Sequence, residues 1–307
     1  MSDDGKYIWI NGELVELEKA TIHFLSSTLH YGVGAFEGIR CYDTECGPAV
    51  FRLKEHIKRL IDSALIMGYR EFPYTVAELC EATKKTIAAN GFTSCYIRPL
   101  VYHDGTCKSL NLDNGKPSVG IATWYWGNYL GEDAMEKGIR ANVSSFTRHH
   151  PNVMMTKAKI SGNYVNSVLA RTESARLGFG EAIMLDPQGY VAECTGENIF
   201  VVRNGNIYTP PTATILEGIT RDSILTIARE LGYTVTEQPV SRDQLYSADE
   251  VFMCGTAAEC VAVTEIDFRT IGSGRMGNIT RNIQKTYMDV VQGRHPLSKG
   301  WLDYVHS

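Results

Sequence analysis

Lys159 stands in the run Lys159-Ile-Ser-Gly-Asn-Tyr164, and about thirty residues later the chain reads Glu193-Cys-Thr-Gly-Glu197-Asn-Ile-Phe200. An amine, a carboxylate, a phenol and glycine-rich turns share a chemistry: together they can hold pyridoxal 5'-phosphate (PLP). The amine can form a Schiff base with the aldehyde of that cofactor. A carboxylate can keep its ring nitrogen protonated, which makes the ring an electron sink. Residue type leaves two choices open. Lys157 would share a side with Lys159 in an extended segment. Lys159 is favoured because it directly precedes a Gly-Asn turn into a helix, and an element end can aim a side chain at a ligand. Glu197 is as ordinary a strand-end acid as Glu193. Taken singly, each lysine is a solvated surface residue.

Two small-residue turns add to the set. Gly218-Ile219-Thr220 opens a helix, and Gly255-Thr256-Ala257-Ala258 follows the strand Val251-Phe-Met-Cys254. Free backbone N–H groups at such ends can bind phosphate, although capping alone accounts for either one. Arg59 lies beside the apolar stripe of its helix and by itself reads as a surface charge. Trp124, Tyr125, Trp126 and Tyr129 cluster, as core packing or a pocket wall would require. His149 and His150 have no serine or cysteine nucleophile motif beside them. The eight cysteines form no Cys-x-x-Cys and no zinc spacing, so buried free thiols and no metal site are expected.

These groups need elements to position them. Tyr7 to Leu17, broken by Asn11-Gly12, predicts a β-hairpin. Leu53, Ile57, Leu60, Ile61, Ala64 and Leu65 have helix spacing over 53–67, with Gly68 as the stop. A capping box at Thr75 and Glu78 opens a helix that ends near Asn90-Gly91. Apolar strands are predicted at 95–102, 119–126 and 139–146, and a helix at 161–177. Asp186-Pro-Gln-Gly189 predicts the turn between strands 181–185 and 190–193. Asn204-Gly205 marks a further hairpin, and helices are predicted at 220–231 and 279–292. Strands and helices mix without strict alternation, which predicts an α+β fold rather than a doubly wound parallel sheet. The chain is expected to divide into a smaller N-terminal domain over 1–126, a junction over 127–138 and a larger, cofactor-binding C-terminal domain over 139–307.

The 307 residues carry a formal net charge of -5, 44% hydrophobic and 21% charged residues, and no long basic run. That fits a globular protein with a substantial core and argues against nucleic acid or anionic membrane as partners. No apolar stretch approaches the roughly 20 residues of a membrane helix, and a cytoplasmic location is expected.

Taken together, the runs resemble the branched-chain amino acid aminotransferases, of the fold-type IV (class IV) group of PLP enzymes. The resemblance extends from Trp9 to Asp303. Its most specific blocks are Tyr31-Gly-Val-Gly-Ala-Phe36-Glu-Gly38-Ile-Arg40, Tyr96-Ile-Arg98-Pro-Leu, Lys159 to Tyr164, Glu193 to Asn198, Leu216 to Asp222 and Asp249 to Glu259. It implies two α/β domains with the active site at their junction. It implies that Lys159 forms the Schiff base and moves the proton, and that Glu193 pairs with the ring nitrogen. Tyr164 matches the residue bonded to the phenolic oxygen, and Arg59, Ile219, Thr220 and Thr256 match the phosphate cup. Tyr96, Ala257 and Ala258 match the receivers of the substrate α-carboxylate, and Arg98 the group that meets the distal carboxylate of glutamate. Phe36, Gly38, Trp126 and Tyr129 match pocket walls. Tyr31 and a loop equivalent to 103–116 are expected to reach a neighbouring subunit, in at least a homodimer.

The implied reaction moves the amino group of leucine, isoleucine or valine to 2-oxoglutarate, so the partners are amino acids and 2-oxo acids. A D-amino acid aminotransferase, an (R)-amine transaminase and an aminodeoxychorismate lyase are the alternatives within the fold, and Tyr96-Ile-Arg98 argues against the first. The loop His103-Asp-Gly-Thr-Cys107-Lys108-Ser-Leu110-Asn111 departs from the glycine-methionine-glycine-like stretch usual in relatives, which bears on substrate range and not on cofactor chemistry.

Overall fold

The structure, a computed structural model, describes residues 4–105, 109–127, 130–131 and 133–306. The chain forms two compact units. One contains 1–126, 158–163 and 290–307; the other contains 127–157 and 164–289. The stretch 127–138, expected to be a junction, belongs to the second unit and carries a short helix, Ala134–Lys137. The C-terminal residues return to the first unit, where Leu302–Tyr304 pairs antiparallel with Ala49–Phe51. Hydrophobic periodicity carries no signal for such a return, because the pairing joins strands some 250 residues apart.

The first unit is built on an antiparallel sheet. Its order is Leu302–Tyr304, Ala49–Phe51, Ile39–Tyr42, Cys95–His103, Pro117–Trp124, Tyr7–Ile10, Glu13–Glu16, with Ala35–Phe36 also paired to Cys95–His103. The hairpin turns at Asn11 and Gly12, with φ of 48° and 107°. Helix Leu53–Met67 buries Leu53, Ile57, Leu60 and Ala64 completely, on the face that the sequence spacing predicted, while Leu65, counted in the same spacing, is exposed because it falls off that face. Each of the leucine and isoleucine side chains gains roughly 1.5–3 kcal/mol from leaving water. Gly68 ends the helix at φ 109°, and Tyr69 N–H donates back to Ala64 O. Helix Val76–Asn90 starts on the Thr75–Glu78 capping box.

The second unit holds a mixed sheet. Its order is Val191–Cys194, Glu181–Leu185, Ile139–Val143, Glu259–Ile266, Glu250–Gly255, Asn198–Arg203, Asn206–Thr209, Val235–Glu237, with Arg269–Thr270 paired to Glu259–Ile266. Parallel joins at 139/263, 141/181 and 207/235 sit among antiparallel ones, which is the α+β arrangement expected. The strand from Ile139 ends at Val143, three residues before the expected limit. There the Glu173 carboxylate takes over the bonding, accepting from Ser144 Oγ at 2.8 Å and Ser145 N–H at 3.0 Å. The helix expected from 161 is a 3-10 turn over Ser161–Asn163 followed by α-helix Tyr164–Arg176.

Candidate active site

Lys159 is held by its main chain on both sides. Its N–H donates to Ser63 Oγ at 3.0 Å, and its carbonyl accepts Phe36 N–H at 3.0 Å. Ser161 and Gly162 N–H donate to Gly34 and Gly32 carbonyls, both at 2.8 Å. Gly32 is in the left-handed region at φ 67°, and a Cβ on it would lie 2.9 Å from Gly162 Cα, so only glycine lets the two segments meet. The Lys159 ammonium lies 4.9 Å from the Phe36 ring centroid. Lys157 lies in a turn over residues 156–158 and not in an extended segment. Its Nζ donates to Thr212 O and pairs with Glu217 at 3.1 Å. Lys157 is therefore a structural tie.

Arg59 projects from helix Leu53–Met67 onto Glu37, with Nε 2.6 Å from Oε1 and Nη2 2.9 Å from Oε2. His56 Nδ1 lies 2.8 Å from the same Oε2. Burial pushes the Glu37 carboxyl up, but Arg59 and His56 outweigh it and hold the group well below the usual carboxylate range. Burial also holds His56 below its ordinary value, against the pull of Glu37. Sequence reasoning passed over Glu37 and His56. The only signal was an acid between two expected pocket residues, Phe36 and Gly38, and nothing in one dimension joins position 37 to 56 and 59.

Arg98 is enclosed by rings. Its guanidinium carbon lies 4.8 Å from the Phe36 centroid, 5.5 Å from Tyr96 and 5.6 Å from Trp124. Its Nη2 is 3.4 Å from the Tyr96 hydroxyl. A Cβ on Gly38 would come within 1.9 Å of that hydroxyl, so Gly38 makes the space that Tyr96 occupies. Trp126 meets Tyr96 edge-on at 4.5 Å. Tyr31 ends the short helix Ser27–Tyr31 and is exposed. Tyr129, Cys107 and Lys108 lie outside the described residues.

In the second unit Glu193 and Glu197 are both buried. Glu193 Oε1 lies 2.8 Å from Arg148 Nε. Its Oε2 accepts from Leu216 N–H at 3.3 Å and Asn198 Nδ2 at 3.4 Å. Glu197 Oε2 accepts Gly196 N–H at 3.1 Å. Tyr164 opens its helix, half-buried. Ile219 and Thr220 begin helix Ile219–Glu230, whose N-cap, Gly218, supplies no side-chain cap. The N–H groups of that first turn point at whatever lies beyond it, and the helix dipole favours an anion there. Thr256, Ala257 and Ala258 form the turn between Glu250–Gly255 and Glu259–Ile266. Among the described residues no group of three or more His, Cys, Asp or Glu could hold a metal ion.

The donor set fits PLP. Each unit carries residue types that such a cofactor requires: the first has an amine on a fixed main chain, Lys159, and a cation, Arg59, and the second has an uncapped helix start at Ile219 and a buried carboxylate, Glu193. Residues 34–266 match the amino-transferase class IV family. The chain belongs to the class IV aminotransferases. This class IV aminotransferase is 48% identical over 301 residues to a branched-chain-amino-acid aminotransferase of Pseudomonas aeruginosa, covering 98% of each. It also superposes on a branched-chain aminotransferase of Thermoproteus uzoniensis solved with norvaline, at TM-score 0.93 and 42% identity over 98% of this chain and 99% of that one. A branched-chain amino acid aminotransferase of Thermobaculum terrenum, solved in its PLP form, matches at TM-score 0.92 and 36% identity, covering 99% of each.

Proposed function

We propose that this enzyme is a PLP-dependent aminotransferase that moves the amino group of leucine, isoleucine or valine to 2-oxoglutarate. PLP, when bound, supplies an aldehyde that accepts the amino group and a ring that takes up the electron pair left when Cα loses its proton. Lys159 Nζ takes that proton and returns it. Glu193 holds a proton at the ring nitrogen, and Tyr164 bonds the phenolic oxygen. Arg59, Ile219, Thr220 and Thr256 take the phosphate. Tyr96, Ala257 and Ala258 take the substrate α-carboxylate, and Phe36, Gly38, Trp126 and Tyr129 line the pocket. At least a homodimer is proposed, with Tyr31 and the 103–116 loop serving the neighbouring subunit. The free, mostly buried thiols among the described residues support a reducing compartment, the cytoplasm.

The observation that carries the substrate reading is Arg98 within its rings. Such a wall suits an apolar side chain, worth about 0.8 kcal/mol per buried methylene. The cation it encloses suits the distal carboxylate of glutamate. Arg98→Leu should therefore slow the 2-oxoglutarate half-reaction about 100-fold, the loss of one charge-assisted contact of roughly 3 kcal/mol. The leucine half-reaction should change little. Single-turnover rates for both halves in the same variant test it. Equal losses would make Arg98 structural, and faster reaction with D-alanine than with L-leucine would move the enzyme to the D-amino acid class.

A further inference from the structure

We propose that Arg148 is a positioning residue for Glu193, fixing its carboxylate in orientation and in charge so that the proton it shares with the cofactor ring nitrogen stays on nitrogen. The inference rests on the reading of Glu193 given above. Arg148 leaves the sheet just after strand Ile139–Val143, where its N–H donates to Leu185 O at 2.8 Å. Its side chain is 7% exposed, as is that of Glu193, and Nε and Oε1 form an ion pair at 2.8 Å. Nη1 also reaches Asn166 Oδ1 and Ser167 Oγ of helix Tyr164–Arg176, each at 3.5 Å.

The surroundings say what the arginine opposes. Glu181, Glu197 and Glu193 all act on the one Cys194 thiol, so Glu193 sits in a buried group of like charges. Burial and a second carboxylate both favour the protonated acid. Glu181 provides an internal comparison. Its arginine, Arg171, is 3.4 Å away and 34% exposed, and burial raises Glu181 above the ordinary carboxylate range despite the Thr195 hydroxyl at 2.5 Å. Glu193 has the closer and more buried arginine. Without Arg148, the shared proton would move from the ring nitrogen to Glu193, and the ring would lose its electron-sink character.

The test uses holoenzyme reconstituted with PLP labelled with 15N in the ring, and reads the protonation state of that nitrogen by NMR. Wild type and Arg148→Lys should give a protonated-ring signal, and Arg148→Met should move it toward neutral pyridine. Glu193→Gln should move it as far, and Arg148→Met in that background should add nothing. The double variant removes both charges, so it also covers the case in which Arg148→Met alone fails to fold. A Glu193→Gln enzyme with the wild-type signal would defeat the Glu193 reading itself. A shift in Glu193→Gln but none in Arg148→Met, or additive shifts in the double variant, would overturn the Arg148 inference alone.

Discussion

Glu37 has no exposed surface, and its carboxylate carries Arg59 on both oxygens and His56 on one. A buried pair contributes most visibly when one partner is removed, because the other is left charged and unmatched. Glu37→Gln is expected to lower stability by about 3–5 kcal/mol at pH 7. The Glu37 carboxyl is held below its ordinary value of 4.5, so its contribution is fully present above that pH and is lost as pH falls through the depressed value. The gap between wild type and variant should narrow by about 1.4 kcal/mol per pH unit below 4.5. His56 adds to wild-type acid lability in the same sense, since its folded value is also lowered. Urea unfolding of both proteins at pH 7 and pH 3.5 checks this, and a gap independent of pH would mean that Glu37 does not act as the anion of the cluster. The same residues mark a limit of one-dimensional reading. By residue type alone Arg59 was legible as a charge beside an apolar stripe, and its partner came from the link between strands Ala35–Phe36 and Ile39–Tyr42, which has no period.

Helix Ile219–Glu230 begins where it does because Gly218 leaves room for another side chain. A Cβ there would lie 2.0 Å from Asn198 Oδ1, while Asn198 Nδ2 donates to Leu216 O at 3.2 Å and reaches Glu193 at 3.4 Å. The φ of -68° is ordinary, so the demand for glycine is steric and not conformational. Gly218→Ala should destabilise by about 1–3 kcal/mol, as overpacking does. It should also weaken PLP binding by displacing the first helical turn. Gly218→Ala with Asn198→Ala should cost less than the two single changes added together, since the second empties the space that the first needs. Thermal melting of the four proteins decides it, and simple additivity would remove the steric account. Elements of this kind divide by range. The hairpin at Asn11-Gly12, the Thr75–Glu78 capping box and the Gly68 stop are settled within a few residues, and the sequence predicted each of them. Ala35–Phe36 and Ile39–Tyr42, two and four residues long, exist because Cys95–His103 lies beside them.

For the whole molecule, the exposed apolar side chains bear on assembly. Val165 and Val168 are each 60% exposed and Leu169 46%, at helical spacing on Tyr164–Arg176; Leu29 and Tyr31 are exposed on the short helix Ser27–Tyr31. A globular protein rarely leaves such a stripe in water without a partner surface. Sedimentation velocity at assay concentration should give at least a dimer. Val168→Asp should shift the enzyme toward monomer and lower turnover while leaving the far-UV circular dichroism unchanged, because the side chain is largely exposed within its own chain and a charge there stays in water. Active wild-type monomers would contradict the proposed assembly.

Family, cofactor chemistry and most helices and hairpins followed from the sequence by itself, since ordered local runs such as Lys159 to Tyr164 and Glu193 to Asn198 carry residue type and spacing together. Tertiary structure decided what local runs leave open. It separated Lys157 from Lys159 by binding the first to Thr212 and Glu217, and it joined Glu37 to Arg59 and Arg148 to Glu193. It also returned the C-terminal strand to Ala49–Phe51. In each case the deciding contact joins residues too far apart for any periodicity to encode, and for Glu37 with Arg59 and Glu193 with Arg148 burial in a low-dielectric interior makes the pairing of charges obligatory.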